Sequence, residues 1–276
     1  MISTIDRKNN LSEDEFIEEY LKKNQPVIIT DGMDNWAQID KWSPNYLVEH
    51  YGDELVQIYD DLFNLTDIGT LKDYIRKYFD RDNSSLVSKD IVPYIRWYST
   101  FKKLDFTWSD NFFDKIQYDW STPYFIPRNN YILPPKHKDA NPTTELFPAR
   151  GIFISANGAC TKTHIDPWSS DAILCQMYGL KKITLYAPVQ NNQNLNNRTN
   201  IIDVSVMTCK YADFLNAREI LFIPHSWPHH VETIENSISI TWNFVHISTA
   251  KDFLRYLINS PSTDDLDVIK FFLNSI

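Results

Sequence analysis

The sequence predicts a mainly β fold, an antiparallel barrel or sandwich with flanking helices. Three features carry that prediction. From Arg150 onward, short β-rich runs recur with turns between them: Ile152 to Ser155, Ala172 to Tyr178, Lys182 to Tyr186, Glu219 to Ile223 and Ser237 to Val245. Aromatic residues are abundant, with 16 Phe, 15 Tyr and 8 Trp against only 6 Gly, which suits a large strand-rich core. Helical spacing of apolar residues is confined to the segments before and after these runs.

The elements follow in order. Ser12 as N-cap with Glu15 three residues on forms a capping box, and Phe16, Ile17, Tyr20 and Leu21 then recur at helical spacing. Lys22 and Lys23 suit the negative end of that helix. Gln25-Pro26 breaks it, and Val27 to Thr30 before Asp31-Gly32 reads as a short buried strand. Pro44, at a favoured first position, opens a second helix to about His50, and residues 54–60 return to a strand pattern. Thr70 caps a third helix reaching Phe79, with Leu71, Tyr74, Ile75 and Tyr78 as its stripe. Between 105 and 150, Pro123, Pro127, Pro134, Pro135, Pro142 and Pro148 exclude a long regular element and predict an ordered, aromatic-packed loop region. The end turns helical again, over Ala250 to Ile258 and Asp264 to Asn274. The expected organisation is one unit over 1–276. It comprises an N-terminal extension with outer strands (1–149), a barrel core (150–247) and a C-terminal helical pair (248–276).

Composition narrows the function classes. Lys and Arg number 27 against 36 Asp and Glu, a formal charge of −9, which disfavours non-specific nucleic-acid binding. No stretch approaches the ~18 apolar residues of a membrane span, and the first ten residues lack the apolar run of a secretion signal. Cys160, Cys175 and Cys209 are too few and too scattered for a disulfide framework or a CxxC zinc site. The expectation is a soluble, intracellular protein, cytoplasmic or, in a eukaryote, nuclear.

Of the seven histidines, His164 is placed most informatively, in Thr163-His164-Ile165-Asp166-Pro167. On a strand, residues i and i+2 share a face, so His164 and Asp166 present an imidazole and a carboxylate to one point. A third ligand is available from His225-Ser-Trp-Pro-His229-His230. Two imidazoles and one carboxylate on one face of an octahedron leave three positions open, which suits non-haem Fe(II) handling O₂. The His-Glu-x-x-His pattern common in zinc hydrolases is absent.

At this point the sequence resembles a known family. Thr161-Lys-Thr-His164-Ile-Asp166-Pro, Tyr178-Gly179-Leu-Lys181-Lys-Ile-Thr-Leu-Tyr186, Glu219-Ile-Leu-Phe-Ile-Pro224-His-Ser-Trp227-Pro-His229 and Ser239-Ile-Thr-Trp-Asn243-Phe look, in that order, like the core of the small JmjC hydroxylases. The resemblance implies a double-stranded β-helix, the jelly-roll or cupin barrel, with N-terminal α/β additions. It further implies an Fe(II)- and 2-oxoglutarate-dependent oxygenase that hydroxylates a C–H bond and releases succinate and CO₂. His164, Asp166 and His229 correspond to the iron ligands, with His230 on the other side of its strand. Lys181 corresponds to the residue that binds the far carboxylate of 2-oxoglutarate, with Lys182 facing outward; Thr161, Tyr94 and Asn243 match its neighbours. Without the resemblance Lys181-Lys182 reads as a solvated pair, Tyr94 as a structural tyrosine and Asn243 as a core amide.

Two departures stand out: Pro228 precedes His229 where relatives often carry tryptophan, and Leu174 replaces an asparagine near the cosubstrate. The resemblance implies a protein or peptide substrate, with an RNA base or a small metabolite left open, and a homodimer through the C-terminal helices. Acidic, aromatic Asp105 to Trp120 offers a groove for a basic peptide. A non-catalytic cupin-like binding protein is the alternative.

Overall fold

A computed structural model describes residues 2–36, 39–61, 63–80, 91–98, 121–128, 130, 149–166, 170–188 and 207–259. Its strands are β1 (Asp6–Lys8), β2 (Val27–Ile29), β3 (Leu55–Tyr59), β4 (Leu65–Thr70), β5 (Tyr94–Tyr98), β6 (Ala149–Ser155), β7 (Cys160–His164), β8 (Asp171–Tyr178), β9 (Lys181–Tyr186), β10 (Cys209–Leu215), β11 (Ile220–Ile223), β12 (His229–Thr233) and β13 (Ser237–Phe244). They form a nine-stranded sheet in the order β1-β2-β11-β8-β13-β6-β5-β3-β4 and a four-stranded sheet in the order β10-β9-β12-β7. Among the described strands, β1 and β2 alone pair in parallel; the other neighbours are antiparallel.

Period-two alternation gives the large sheet two distinct faces. Ile173, Cys175 and Met177 of β8, Ile220 and Phe222 of β11, and Ile238, Ile240, Trp242 and Phe244 of β13 face the helices. There they join Phe16 and Leu21 of α1 (Glu13–Glu15, continued through Phe16–Leu21), Leu47 of α2 (Pro44–Tyr51) and Leu71 of α3 (Leu71–Tyr78) in the main core. Each such fully buried large side chain is worth about 1.5–3 kcal/mol. On the opposite face Ala172, Leu174, Leu221 and Ile223 meet Ile183, Leu185 and Leu215 of the small sheet, with Trp227 among them. The intervening residues of β13 are polar: Ser237, Ser239, Thr241 and Asn243. The space between the sheets therefore has an apolar wall and a polar wall.

The capping residues behave as their chemistry requires. Ser12, Ser43 and Thr70 each accept a bond from the backbone N–H three residues on, and Pro44 opens α2. In α1 the backbone widens over Phe16–Leu21, where Lys22 N–H reaches Ile17 O at 2.9 Å, and this buries Phe16, Tyr20 and Leu21 together. Lys22 and Lys23 pair with Glu18 and Glu19 one turn back. The first C-terminal helix forms as α4 (Ala250–Asn259). The second helix over 264–274, the Asp105 to Trp120 groove and most of the proline-rich stretch lie outside the described residues. No helix among the described residues is long and apolar enough to cross a membrane.

Candidate metal centre

Strand pairing sets two imidazoles side by side. β12 lies between β9 and β7, and its His229 is the register partner of both Leu185 and His164. The two imidazole centroids are 4.2 Å apart. Between His229 and Val231 the register shifts, because β7 carries an extra residue there. This bulge puts Thr161 opposite Val231 on the inner face, although it lies three residues from His164. Asp166 lies two residues past the end of β7, so the turn beyond the strand delivers it rather than strand alternation. One ligand atom from each of His164, Asp166 and His229 lies within 4.8 Å of the others; both histidines are buried and Asp166 is half-buried.

Hydrogen bonds orient both rings. Nδ1–H of His164 donates to Lys162 O at 2.9 Å, and Nδ1–H of His229 donates to Trp227 O at 3.0 Å. With the proton held on Nδ1, the Nε2 lone pair is left for a metal. Burial pulls the His164 pKa well below its ordinary value, and neighbouring His229 pulls it the same way. Two neutral nitrogens with one carboxylate oxygen are a donor set for a first-row divalent metal, with room for further ligands.

The turn before β12 fixes His229. The Trp227 indole N–H donates to Asn24 O at 3.0 Å, and the Lys210 ammonium stands 5.1 Å from its ring centroid. Asp171 Oδ1 accepts both the backbone N–H of His225 at 2.8 Å and its ring Nδ1–H at 3.0 Å. Burial opposes charge on His225 and is the largest single influence, but the carboxylates of Asp171 and Asp252 together outweigh it and the pKa is raised. His230 points the other way, its Nε2 3.3 Å from Glu232, which also takes Lys182 at 3.0 Å. Of the three candidates for the third ligand, His229 is the one brought to His164 and Asp166.

Lys181 enters the barrel just after the β8–β9 turn, where Gly179 adopts φ +78° and a Cβ would stand 2.0 Å from Asn236 O. Opposite Thr233 in register, Lys181 is 5% exposed, and burial alone draws its pKa down to about 8. Among the described residues no carboxylate pairs with it. Thr233 Oγ1 donates to Ser155 Oγ at 2.9 Å, and Ser155 is the register partner of both Tyr94 and Ser237. The buried hydroxyl of Ser239 has no partner among the described residues. A buried cation beside hydroxyls fits one end of a dicarboxylate. Asn243 is buried and its Nδ2 donates to Ser170 Oγ at 3.3 Å. Leu174 sits in the apolar wall.

Sequence reasoning did not single out Arg96 and Phe63. Arg96 lies two residues beyond Tyr94, so alternation along β5 was the signal that could have found it. Its buried guanidinium stands 4.3 Å from the ring centroid of Phe63 and 5.4 Å from that of Tyr59. Phe63 in turn sets its ring edge-on to His164, at 4.9 Å and 77°. It lies in a turn, where no periodicity could announce it.

Two sheets enclosing a pair of imidazoles and a carboxylate define a barrel of the cupin class. The chain belongs to the cupin-like domain family, which matches residues 12–250, and the JmjC resemblance stands. It is similar to the arginine-specific demethylase JMJ20 of Arabidopsis thaliana, 26% identical over 278 residues, 89% of this chain and 58% of the relative. It is similar also to the 2-oxoglutarate and iron-dependent oxygenase JMJD4 of Gallus gallus, 22% identical over 274 residues, 89% of this chain and 60% of the relative. A third relative is the bifunctional arginine demethylase and lysyl-hydroxylase psr-1 of Caenorhabditis elegans, 27% identical over 181 residues, 66% of this chain and 40% of the relative. The chain thus spans about half the length of these relatives.

Proposed function

We propose that the chain is an Fe(II)- and 2-oxoglutarate-dependent oxygenase that hydroxylates a C–H bond of a protein side chain. The observation that carries this reading is the meeting of His164, Asp166 and His229 within 4.8 Å of one another. The buried ammonium of Lys181 in the same barrel, with no carboxylate partner among the described residues, supports the cosubstrate. Bound together, iron and 2-oxoglutarate supply O₂ activation and the removal of hydrogen from carbon, with succinate and CO₂ as the companion products.

The chain's own residues do the rest. His164, Asp166 and His229 would hold the metal through two nitrogens and one oxygen, leaving it able to take up cosubstrate and O₂. Lys181, protonated below about pH 8, would meet the far carboxylate of 2-oxoglutarate, with Thr161 and Tyr94 as hydroxyl donors and Asn243 as a further cosubstrate contact. The apolar wall of Leu174, Ile183, Leu185 and Leu221 keeps water from the cavity.

Hydroxylation of an N-methyl carbon gives a product that sheds formaldehyde, so the demethylase and hydroxylase names of the relatives share this first step. Those names support a protein substrate. The reading takes 1–276 as one unit, since strands before residue 100 share the large sheet with strands after 149. It includes a homodimer through the C-terminal helices and an intracellular setting, in keeping with free Cys160, Cys175 and Cys209.

With Fe(II), 2-oxoglutarate and O₂ the protein forms succinate, and Asp166→Ala abolishes it. Equal succinate release by the two proteins would remove the triad from the reaction.

A further inference from the structure

We propose that the Asp61–Lys162 ion pair is a clasp that fastens the β3–β4 turn over β7 and thereby positions His164, making Lys162, Asp61 and Phe63 positioning residues of the metal centre. This rests on the reading of His164, Asp166 and His229 as metal ligands.

Lys162 belongs to the bulge in β7, where the ladder to β12 is interrupted. A bulged residue has backbone groups to spare for other partners. Here the N–H of Lys162 donates to Asp61 O at 3.1 Å, and its C=O accepts the Nδ1–H of His164 at 2.9 Å. One residue therefore ties the turn to the imidazole. The side chain repeats the link, with the Lys162 ammonium 3.1 Å from Asp61 Oδ2. Asp61 is buried, its side chain 8% exposed, while that of Lys162 is 46% exposed.

The other Asp61 oxygen has no partner among the described residues, so the lysine is its principal charge compensation. Removing the lysine strands a buried carboxylate, which must draw back toward water and take the turn with it.

The turn is itself braced. Asp60 N–H donates to Asn64 O at 3.0 Å, and Asn64 N–H donates to Asp60 Oδ1 at 2.9 Å. Phe63 adopts φ +65°, a conformation costly for a bulky residue that persists only where surroundings impose it. The result of that conformation is the ring laid edge-on against His164. Clasp and ring thus act on the same imidazole from two directions, one on Nδ1 through Lys162 O and one on the ring plane through Phe63. Partners that orient a metal ligand typically govern metal affinity by 10–100-fold.

The test is a Co(II) titration of the full chain followed by visible absorption, comparing wild type, Lys162→Met, Lys162→Arg and Phe63→Ala, with folding checked by circular dichroism. Lys162→Met and Phe63→Ala are expected to weaken Co(II) binding by about tenfold or more, and Lys162→Arg to restore it. If Lys162→Met does not fold, Lys162→Gln, which removes the charge but keeps a polar side chain, is measured in its place against the same expectation. Wild-type affinity in the folded Met and Ala variants overturns the clasp while leaving the ligand assignment standing. A wild-type chain that takes up no Co(II) overturns both.

Discussion

A lysine ammonium ordinarily releases its proton near 10.5; in Lys181 burial brings this to about 8. The side chain is more than nine-tenths buried, so the cost of keeping it charged at pH 7 is real, roughly 3 kcal/mol at 1.36 kcal/mol per unit. Its folded pKa is depressed, so the stability it contributes is present above the unfolded value and is lost as pH falls through about 8. Lys181→Met is accordingly expected to raise the melting temperature of the metal-free protein at pH 7 while abolishing the thermal shift given by N-oxalylglycine with Mn(II). A bound dicarboxylate favours the ammonium and raises the pKa again. Affinity for 2-oxoglutarate should therefore be flat below about pH 8 and fall above it, by at most tenfold per pH unit, until the pKa of the complex is passed. Calorimetric titrations across pH 6.5–9.5 check this, and a flat profile would show that Lys181 does not meet the cosubstrate.

The turn joining β11 to β12 is fastened by His225 on Asp171 as well as by the burial of Trp227. The His225 pKa is raised, so the pair's contribution is fully present below the unfolded value and is lost as pH rises through the folded one. Stability should decline over that window with a slope of at most about 1.4 kcal/mol per pH unit. His225→Gln should flatten this part of the melting-temperature profile; an unchanged slope would assign the titration elsewhere.

Legibility at this scale follows burial. β8, β9, β11 and β13 announced themselves because they carry long branched runs against a core. β1, Asp6-Arg7-Lys8, has no apolar residue, and β4, Leu65-Thr-Asp-Ile-Gly-Thr, is an exposed edge with Asp and Gly inside it. Their pairing comes from the sheet, not from their own pattern. Among the proposed ligands, the approach of Asp166 to His164 was legible, though a turn achieves it where strand alternation was expected. The bulge that turns Thr161 inward has no period, and only the motif as a whole pointed to that residue.

For the molecule as a whole, the outer surface still presents apolar groups near the C-terminal helix, with Ile247 59% and Leu254 44% exposed. Sedimentation at micromolar concentration is expected to show a dimer, and Leu254→Glu a monomer. A monomeric wild type retires that assembly. The general barrel plan was legible because its strands are apolar and regularly spaced, whereas its closure was not.

β2, made within the first thirty residues, takes its place only between β1 and β11. Ile5 N–H and Arg7 likewise bind Asp213, more than two hundred residues downstream. During synthesis at 5–20 residues per second, the opening strands therefore wait roughly ten to forty seconds for their partner to leave the ribosome. Over that interval Val27-Ile28-Ile29 has β1 on one side and an adhesive open edge on the other, and the nascent chain depends on chaperones or on α1 to keep it covered.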